Sequence, residues 1–162
     1  MVIPSQGLVT AAAALSAAGR YSMLWLAAAG LGVALGSDRS SFVVFVLAVL
    51  AEWVLTNGPV KLLFRRDRPD NSDVQAMVPT WLHPPRSSSF PSGHSSAAAF
   101  ATVIWWAYSP VAGVAAALAA LLMGLSRIVL RAHHPTDVVA GLLWGAALAG
   151  LSLAVFGGSL PS

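Results

Sequence analysis

The stretch Ser95–Leu130, SSAAAFATVIWWAYSPVAGVAAALAALLMGLSRIVL, decides what kind of fold this chain can adopt. It carries no Asp, Glu, Lys or Arg before Arg127, and about 20 helical residues already cross the roughly 30 Å hydrocarbon core of a bilayer. The stretch is too long for one span, and Ser109-Pro110 supplies the break. Proline lacks the amide that a helix interior uses and disfavours helix at the residue before it. The pattern predicts two helices, Ser92–Tyr108 and Val111–Leu130, forming a hairpin that returns to the side it left.

Outward from this hairpin, Tyr21–Gly36, Ser41–Val60 and Val138–Phe156 are also apolar enough to span, which makes five crossings. Val9–Ala18 is shorter, and either lies in the interface or forms a sixth span. No basic residue precedes Arg20, so Leu8–Ala18 reads as a retained segment and not as a cleaved signal. The expected fold is an all-α, polytopic transmembrane helical bundle of five or six spans, with residues 1–162 forming one domain.

Composition agrees with this pattern. Of 162 residues, 57% are hydrophobic and 9% charged, against about 25% charged in ordinary soluble domains; the mean hydropathy is +0.74. Eleven of the fifteen charged side chains lie between Lys61 and Asp137, and none follows Asp137. There is no cysteine, which excludes disulfides, thiolate metal sites and cysteine nucleophiles. A net charge of +3 without dense basic stripes does not suggest a nucleic-acid partner.

Between Arg65 and Pro91 runs the one long polar loop, rich in proline, serine, aspartate and arginine. Because the central hairpin returns to its starting side, this loop and the connection Arg127–Asp137 face the same aqueous compartment. Three clusters meet there. Lys61 and Arg68 lie seven residues apart, close to two helical turns, so on a helix end they project from one face. Pro91-Ser92-Gly93-His94 directly precedes an apolar helix, where glycine permits close backbone approach and free amides favour an anion. Arg127, His133 and Asp137 follow, the last two spaced i, i+4 so that, if helical, they share a face and can hydrogen-bond. Three cations, an amide-rich helix start, two histidines and one carboxylate suit a phosphoryl group, whose charge is spread over several oxygens.

Taken singly, each cluster has a plainer explanation: a basic membrane flank, a helix-capping turn with Ser92 as the cap, and an interfacial His–Asp pair. Their joint occurrence in order is far more specific. KxxxxxxRP at Lys61–Pro69, PSGH at Pro91–His94 and SRxxxxxHxxxD at Ser126–Asp137 resemble the three-part signature of the type 2 phosphatidic acid phosphatase (PAP2) superfamily. The resemblance spans about half of the chain and departs from the signature at no position.

It implies a membrane lipid phosphate phosphatase working through a phosphohistidine, with no metal and no cofactor. His133 would be the nucleophile, Asp137 its orienting carboxylate, and His94 the general acid. Lys61, Arg68, Ser92, Gly93 and Arg127 would hold the phosphate. The expected substrate is a polyprenyl or glycerolipid phosphate or diphosphate, presented from the surrounding membrane lipids. A catalytically silent lipid-phosphate binder or transporter on the same fold is the second reading, and the complete signature argues against it.

Outside the signature, Arg65, Arg66, Arg86 and Arg131 read as steering or flanking charges, His83 and Trp81 as loop residues that touch a lipid headgroup or, more commonly for tryptophan, sit at the interface, and Glu52 as a costly buried acid, structural or supporting the site, either paired with a basic site residue or protonated. Gly141-Leu-Leu-Trp-Gly145 suits close helix packing. Abundant alanine and a preference for arginine over lysine suggest a GC-rich bacterial genome, hence a bacterial cell membrane. Non-signature basic residues outnumber those on the opposite side, five to one, which places the site on the cytoplasmic face.

Overall fold

The computed structural model describes residues 4–34, 38–83 and 87–156. Arg86 and the Gly36 end of the first expected span lie outside the described residues. Among those described there is helix, turn and loop but no strand.

The chain begins with α1 (Gln6–Ala18), capped by Ser5, and turns through Arg20–Ser22 into α2 (Met23–Ala34). Helix α3 (Arg39–Leu55) starts where the Asp38 side chain accepts the Ser41 amide at 2.9 Å. It continues through a π turn, Thr56–Val60, into α4 (Lys61–Phe64). The whole run Arg39–Phe64 is long and apolar enough to cross a membrane. Arg65 ends it in a left-handed conformation, φ 39°. Within the polar loop, α5 (Ser72–Gln75) and a short turn, Thr80–Leu82, are the local helical pieces.

Helix α6 (Gly93–Tyr108) and α7 (Pro110–Val129) are separated at Ser109, whose extended backbone and side-chain cap on Ala112 leave Pro110 in the first turn. The expected hairpin break falls at this position. Helix α8 (Pro135–Phe156) begins three residues earlier than expected, because Pro135 starts it where a missing amide costs nothing. Both α7 and α8 are long and apolar enough to span.

At the centre, α6 packs most extensively against α7 and α8. The α6–α8 approach depends on glycine: a Cβ at Gly141 would collide with the Ser92 carbonyl, and one at Gly145 with the Ser96 carbonyl. Trp25, Phe45, Val49, Phe100, Ile104 and Met123 fill the adjoining core. Leu47, Leu121, Leu143 and Leu151 point outward and exposed, as lipid-facing side chains do. Helix α1 is different. Its buried face, Val9, Ala12, Ala13 and Ser16, packs with Val74, Leu130 and Ala132 of the polar loop and the α7–α8 turn. Its thirteen residues cover only about 20 Å.

Two sequence expectations change here. Lys61 and Arg68 do not share a helical face, because Arg65 reverses the chain and Arg68 reaches the site from a loop. His133 and Asp137 are not joined by helix either: Arg131 sits at φ 45° and α8 starts only at Pro135.

The glycine contact gives a test. Gly145→Val should separate α6 from α8 and destabilise the protein by about 1–3 kcal/mol, read as thermal unfolding in detergent. Gly150→Ala, where a Cβ meets open space, should leave the transition unchanged; equal losses would mean the α6–α8 contact does not set stability.

Candidate active site

A cavity of about 390 Å³ opens where the ends of α1, α4, α6 and α7 meet the polar loop. Lys61, Arg68, Gly93, His94, Arg127 and His133 all line it, so six of the eight residues singled out from the sequence converge. Arg20 lines it too, and among the described residues no acidic side chain does. Four cations thus face one cavity whose described lining holds no acid, an electrostatic environment that favours an anion.

His133 sits in the α7–α8 turn and is 4% exposed. Its Nδ1 lies 2.6 Å from the Ser89 carbonyl. A carbonyl only accepts, so Nδ1 carries the hydrogen and Nε2 keeps its lone pair. Nε2 faces Arg68 Nη1 at 3.4 Å across the cavity wall. Burial pushes the imidazolium down to about 4, with Arg127 and Arg68 adding repulsion and Asp137 opposing. The ring is therefore neutral at ordinary pH.

Arg68 is fixed by backbone oxygens: Nη1 donates to the Ala132 carbonyl at 2.6 Å, Nε to Ser87 at 3.2 Å and Nη2 to Ser88 at 3.3 Å. Arg127, 5% exposed, donates from Nη1 to the Ser16 hydroxyl of α1. His94, in the first turn of α6, directs Nε2 to the Ser16 carbonyl at 3.2 Å. The C-terminal end of α1 is thus built into the site, and Gly19 packs there against the end of the Met123 side chain and the His94 ring.

Ser92 and Asp137 stand behind the cavity. Ser92 is fully buried; its hydroxyl caps α6 by accepting the Ser95 amide, and its own amide donates to the Asp137 carbonyl at 3.0 Å. It shapes the turn that presents the Gly93 amide. The Asp137 carboxylate accepts the His134 amide at 2.9 Å and Arg66 Nη1 at 2.7 Å, while His133 Nδ1 is 3.8 Å away. The His133 tautomer is consequently set by the Ser89 carbonyl rather than by a direct Asp137 hydrogen bond.

Several contributors escaped the sequence reading. Arg66 is the ion-pair partner of Asp137 and not a mere flank. Arg131 pins the loop through Nη1, which donates to both Asp73 carboxylate oxygens at 2.9 Å. Ser89, Ser88, Ser87 and Ala132 act through carbonyls, which any residue can supply and no sequence pattern betrays. Asn57 lies against Gly93, where its amide would meet an added Cβ. Glu52 makes no salt bridge among the described residues: it accepts hydrogen bonds from Thr56, at 2.8 Å, and from Ser96, and Trp144 donates to Thr56 at 2.9 Å. Its role is to tie α3 to α6 and, through Thr56, to α8.

Comparison with known proteins identifies the family. The PAP2 superfamily model matches residues 41–160. A decaprenylphosphoryl-5-phosphoribose phosphatase of Mycolicibacterium smegmatis is 39% identical over 140 residues, covering 83% of this chain and 72% of that protein. The Mycobacterium tuberculosis protein of the same name is 31% identical, covering 97% and 85%. Among solved structures, a transmembrane PAP2-type phosphatidylglycerolphosphate phosphatase from Bacillus subtilis superposes with a TM-score of 0.75 at 25% identity, covering 98% of this chain and 81% of the other. The fold, the converging signature residues and these relatives make one case: the chain belongs to the PAP2 superfamily and is one of its membrane phosphatases.

Proposed function

We propose that this protein removes the terminal phosphate of a lipid-linked phosphomonoester, with polyprenyl-linked sugar phosphates as the leading substrate class, through a phosphohistidine on His133. One observation carries the reading: a buried, neutral imidazole whose Nε2 lone pair opens on a cavity lined by cations alone among its charged residues. The relatives named for decaprenylphosphoryl-5-phosphoribose support the substrate class.

In the first step His133 Nε2 attacks phosphorus, and the bond from phosphorus to the leaving oxygen breaks. Protonated His94 delivers its proton to that oxygen and becomes neutral. In the second step water attacks the phosphohistidine while His94 takes a proton from it; the P–N bond breaks, and phosphate and His133 are released. Lys61, Arg68, Arg127 and the Gly93 amide hold the phosphoryl oxygens and stabilise the charge of both transition states, so no metal ion is required. Asp137, near the nitrogen that stays protonated, offsets the positive charge that grows on His133 during attack.

The same reading places five helices across the bilayer: α2, the α3–α4 run, α6, α7 and α8. Helix α1 lies on the side of the site, against the polar loop. Arg20, Arg65, Arg66 and Arg131 flank that side and Arg39 the other, which favours the cytoplasmic face.

Phosphate release from detergent-solubilised protein with chelator present should fall about a thousandfold or more in His133→Ala; activity surviving that change would overturn the mechanism. Imidazole nitrogen NMR of the protein in nanodiscs, assigned by the loss of a signal in His133→Gln, should show a neutral Nδ1–H tautomer at pH 5.5. An imidazolium signal there would remove the observation on which the reading rests. Because unfolding at this position takes up a proton below about pH 6.5, stability should also decline as pH drops from 6.5 to 4 and level off beneath. The chain has no cysteine of its own, so Ala76→Cys, exposed in the polar loop, reports orientation. It should react with a membrane-impermeant maleimide only after cells are opened, and labelling of intact cells would place the site outside.

A further inference from the structure

The corner between α1 and α2 contains groups that hydrolysis of a single phosphate leaves unused. Arg20 is fixed there twice: its Nη2 donates to the Trp81 carbonyl at 2.5 Å, and its guanidinium lies over the Trp81 ring, 5.8 Å from the centroid. The next two residues, Tyr21 and Ser22, both occupy left-handed conformations, φ 51° and 60°. Each such non-glycine residue is strained and persists only where its surroundings enforce it. The strained pair places Arg20, Tyr21 and Ser22 together on the cavity wall.

Two polar atoms of this cavity's lining residues lack partners. Ser22 is 3% exposed, and its hydroxyl has no hydrogen-bond partner among the described residues. The same holds for Nε of Arg127. A buried polar group left unpaired is destabilising, and an acceptor that enters with a ligand would satisfy either one. Arg20 and Arg127 also repel one another electrostatically, and an anion between them turns that repulsion into attraction. At the outer edge, the Tyr21 ring tilts against Trp53 of α3, 6.2 Å between centroids, and Tyr21 is well exposed. Such amphipathic rings mark the level where lipid chains meet headgroups.

We propose that Arg20 and Ser22 form a second anion subsite, which binds the phosphodiester of a substrate whose terminal phosphomonoester lies at His133. This rests on the function proposed above and narrows it. The monoester, with up to two negative charges, is matched by Lys61, Arg68 and Arg127. Arg20 is a cation beyond that need, and it matches a diester, which carries one charge on two free oxygens and can take a guanidinium bidentately together with a hydroxyl. Lipid tails then leave past Tyr21 and Trp53 into the bilayer. The favoured substrate therefore has the order lipid, phosphodiester, polyol, phosphomonoester. Simple prenyl or diacylglycerol monophosphates lack the second group. A pentose spacer on a polyprenyl chain and a glycerol spacer on a diacyl lipid both offer it.

The test compares kcat/KM within two substrate pairs on the detergent-solubilised protein. One pair is farnesylphosphoryl-ribose 5-phosphate against farnesyl phosphate, and the other is phosphatidylglycerol phosphate against phosphatidate. The wild type should prefer the two-phosphate member of at least one pair by tenfold or more, and the pair that shows it identifies the spacer and lipid. Arg20→Gln should reduce that preference about tenfold, mainly through KM, whereas Arg20→Lys should keep most of it. Ser22→Ala should reduce it by a smaller factor. A preference unchanged in Arg20→Gln, or absent from a wild type that hydrolyses the single-phosphate probes, overturns the subsite and leaves the phosphatase reading standing. Phosphate release from none of the four probes would sink both.

Discussion

Asp137 is the group on which the rest of this site hangs. It is fully buried at the first turn of α8, and a carboxylate survives there only with compensation, since desolvating a charge costs several kcal/mol. Arg66 and the His134 amide provide it. Each partner belongs to a different segment, so satisfying one charge fixes the start of the polar loop and the α7–α8 turn together. The backbone carbonyl of the same residue receives the Ser92 amide and adds the start of α6. The three parts of the signature, far apart in sequence, are thereby held to one point. A protein that lost this carboxylate would lose the relative placement of its cations as well as the charge beside His133.

The cavity itself has the opposite problem. Among the described residues its lining holds cations and no acid, and their mutual repulsion opposes folding. Backbone carbonyls are the physical answer. Three of them hold Arg68, and carbonyls hold His94 and His133 as well. A carbonyl is a strong acceptor without net charge, so it fixes a guanidinium's direction without neutralising it. An acidic partner facing the cavity would have stabilised the empty protein at the expense of phosphate binding. Asp137 avoids that conflict because Arg66 and the His134 amide of the α7–α8 turn compensate its charge behind the wall.

How much of this was legible in the sequence follows from which chemistry side chains reveal. The hairpin break at Ser109-Pro110 was readable because proline's missing amide acts locally, and the structure puts the break there. The glycines of Gly141-Leu-Leu-Trp-Gly145 were readable because only small residues allow such contact. The converging cations and histidines were readable through the signature. Ser89 and Ser88 were not, because they act through carbonyls. Arg66 was not, because a basic residue beside a membrane has a cheaper explanation until its partner is seen. The helical relation considered for His133 and Asp137 does not form because α8 starts only at Pro135 and leaves His133 in the preceding turn. Helix α1 was ambiguous for a different reason: its apolar face meets protein and not lipid, and hydropathy alone does not distinguish the two.

The position of Lys61 shows how a local defect can be part of the design. Along α3 the inward residues are Ser41, Phe45, Val49, Glu52 and Thr56, at the three- and four-residue steps of an α-helix. Continued regularly, the next inward positions would be Pro59 or Val60 and then Leu63, but Leu63 is 78% exposed and the buried residue is Lys61, five positions after Thr56. The π turn Thr56–Val60 accounts for the extra residue. Pro59, which has no amide to donate, lies within that turn, where the regular hydrogen-bond ladder is already interrupted. Directly before it, the hydrogen bonds of Glu52 with Thr56 and Ser96 hold α3 against α6, so the added rotation is taken up by the chain that follows. That rotation is what turns Lys61 from the lipid into the cavity. The buried acid, the helical proline and the signature lysine thus belong to one arrangement, in which the membrane span is wound out of phase at its end so that its last polar residue faces the cavity.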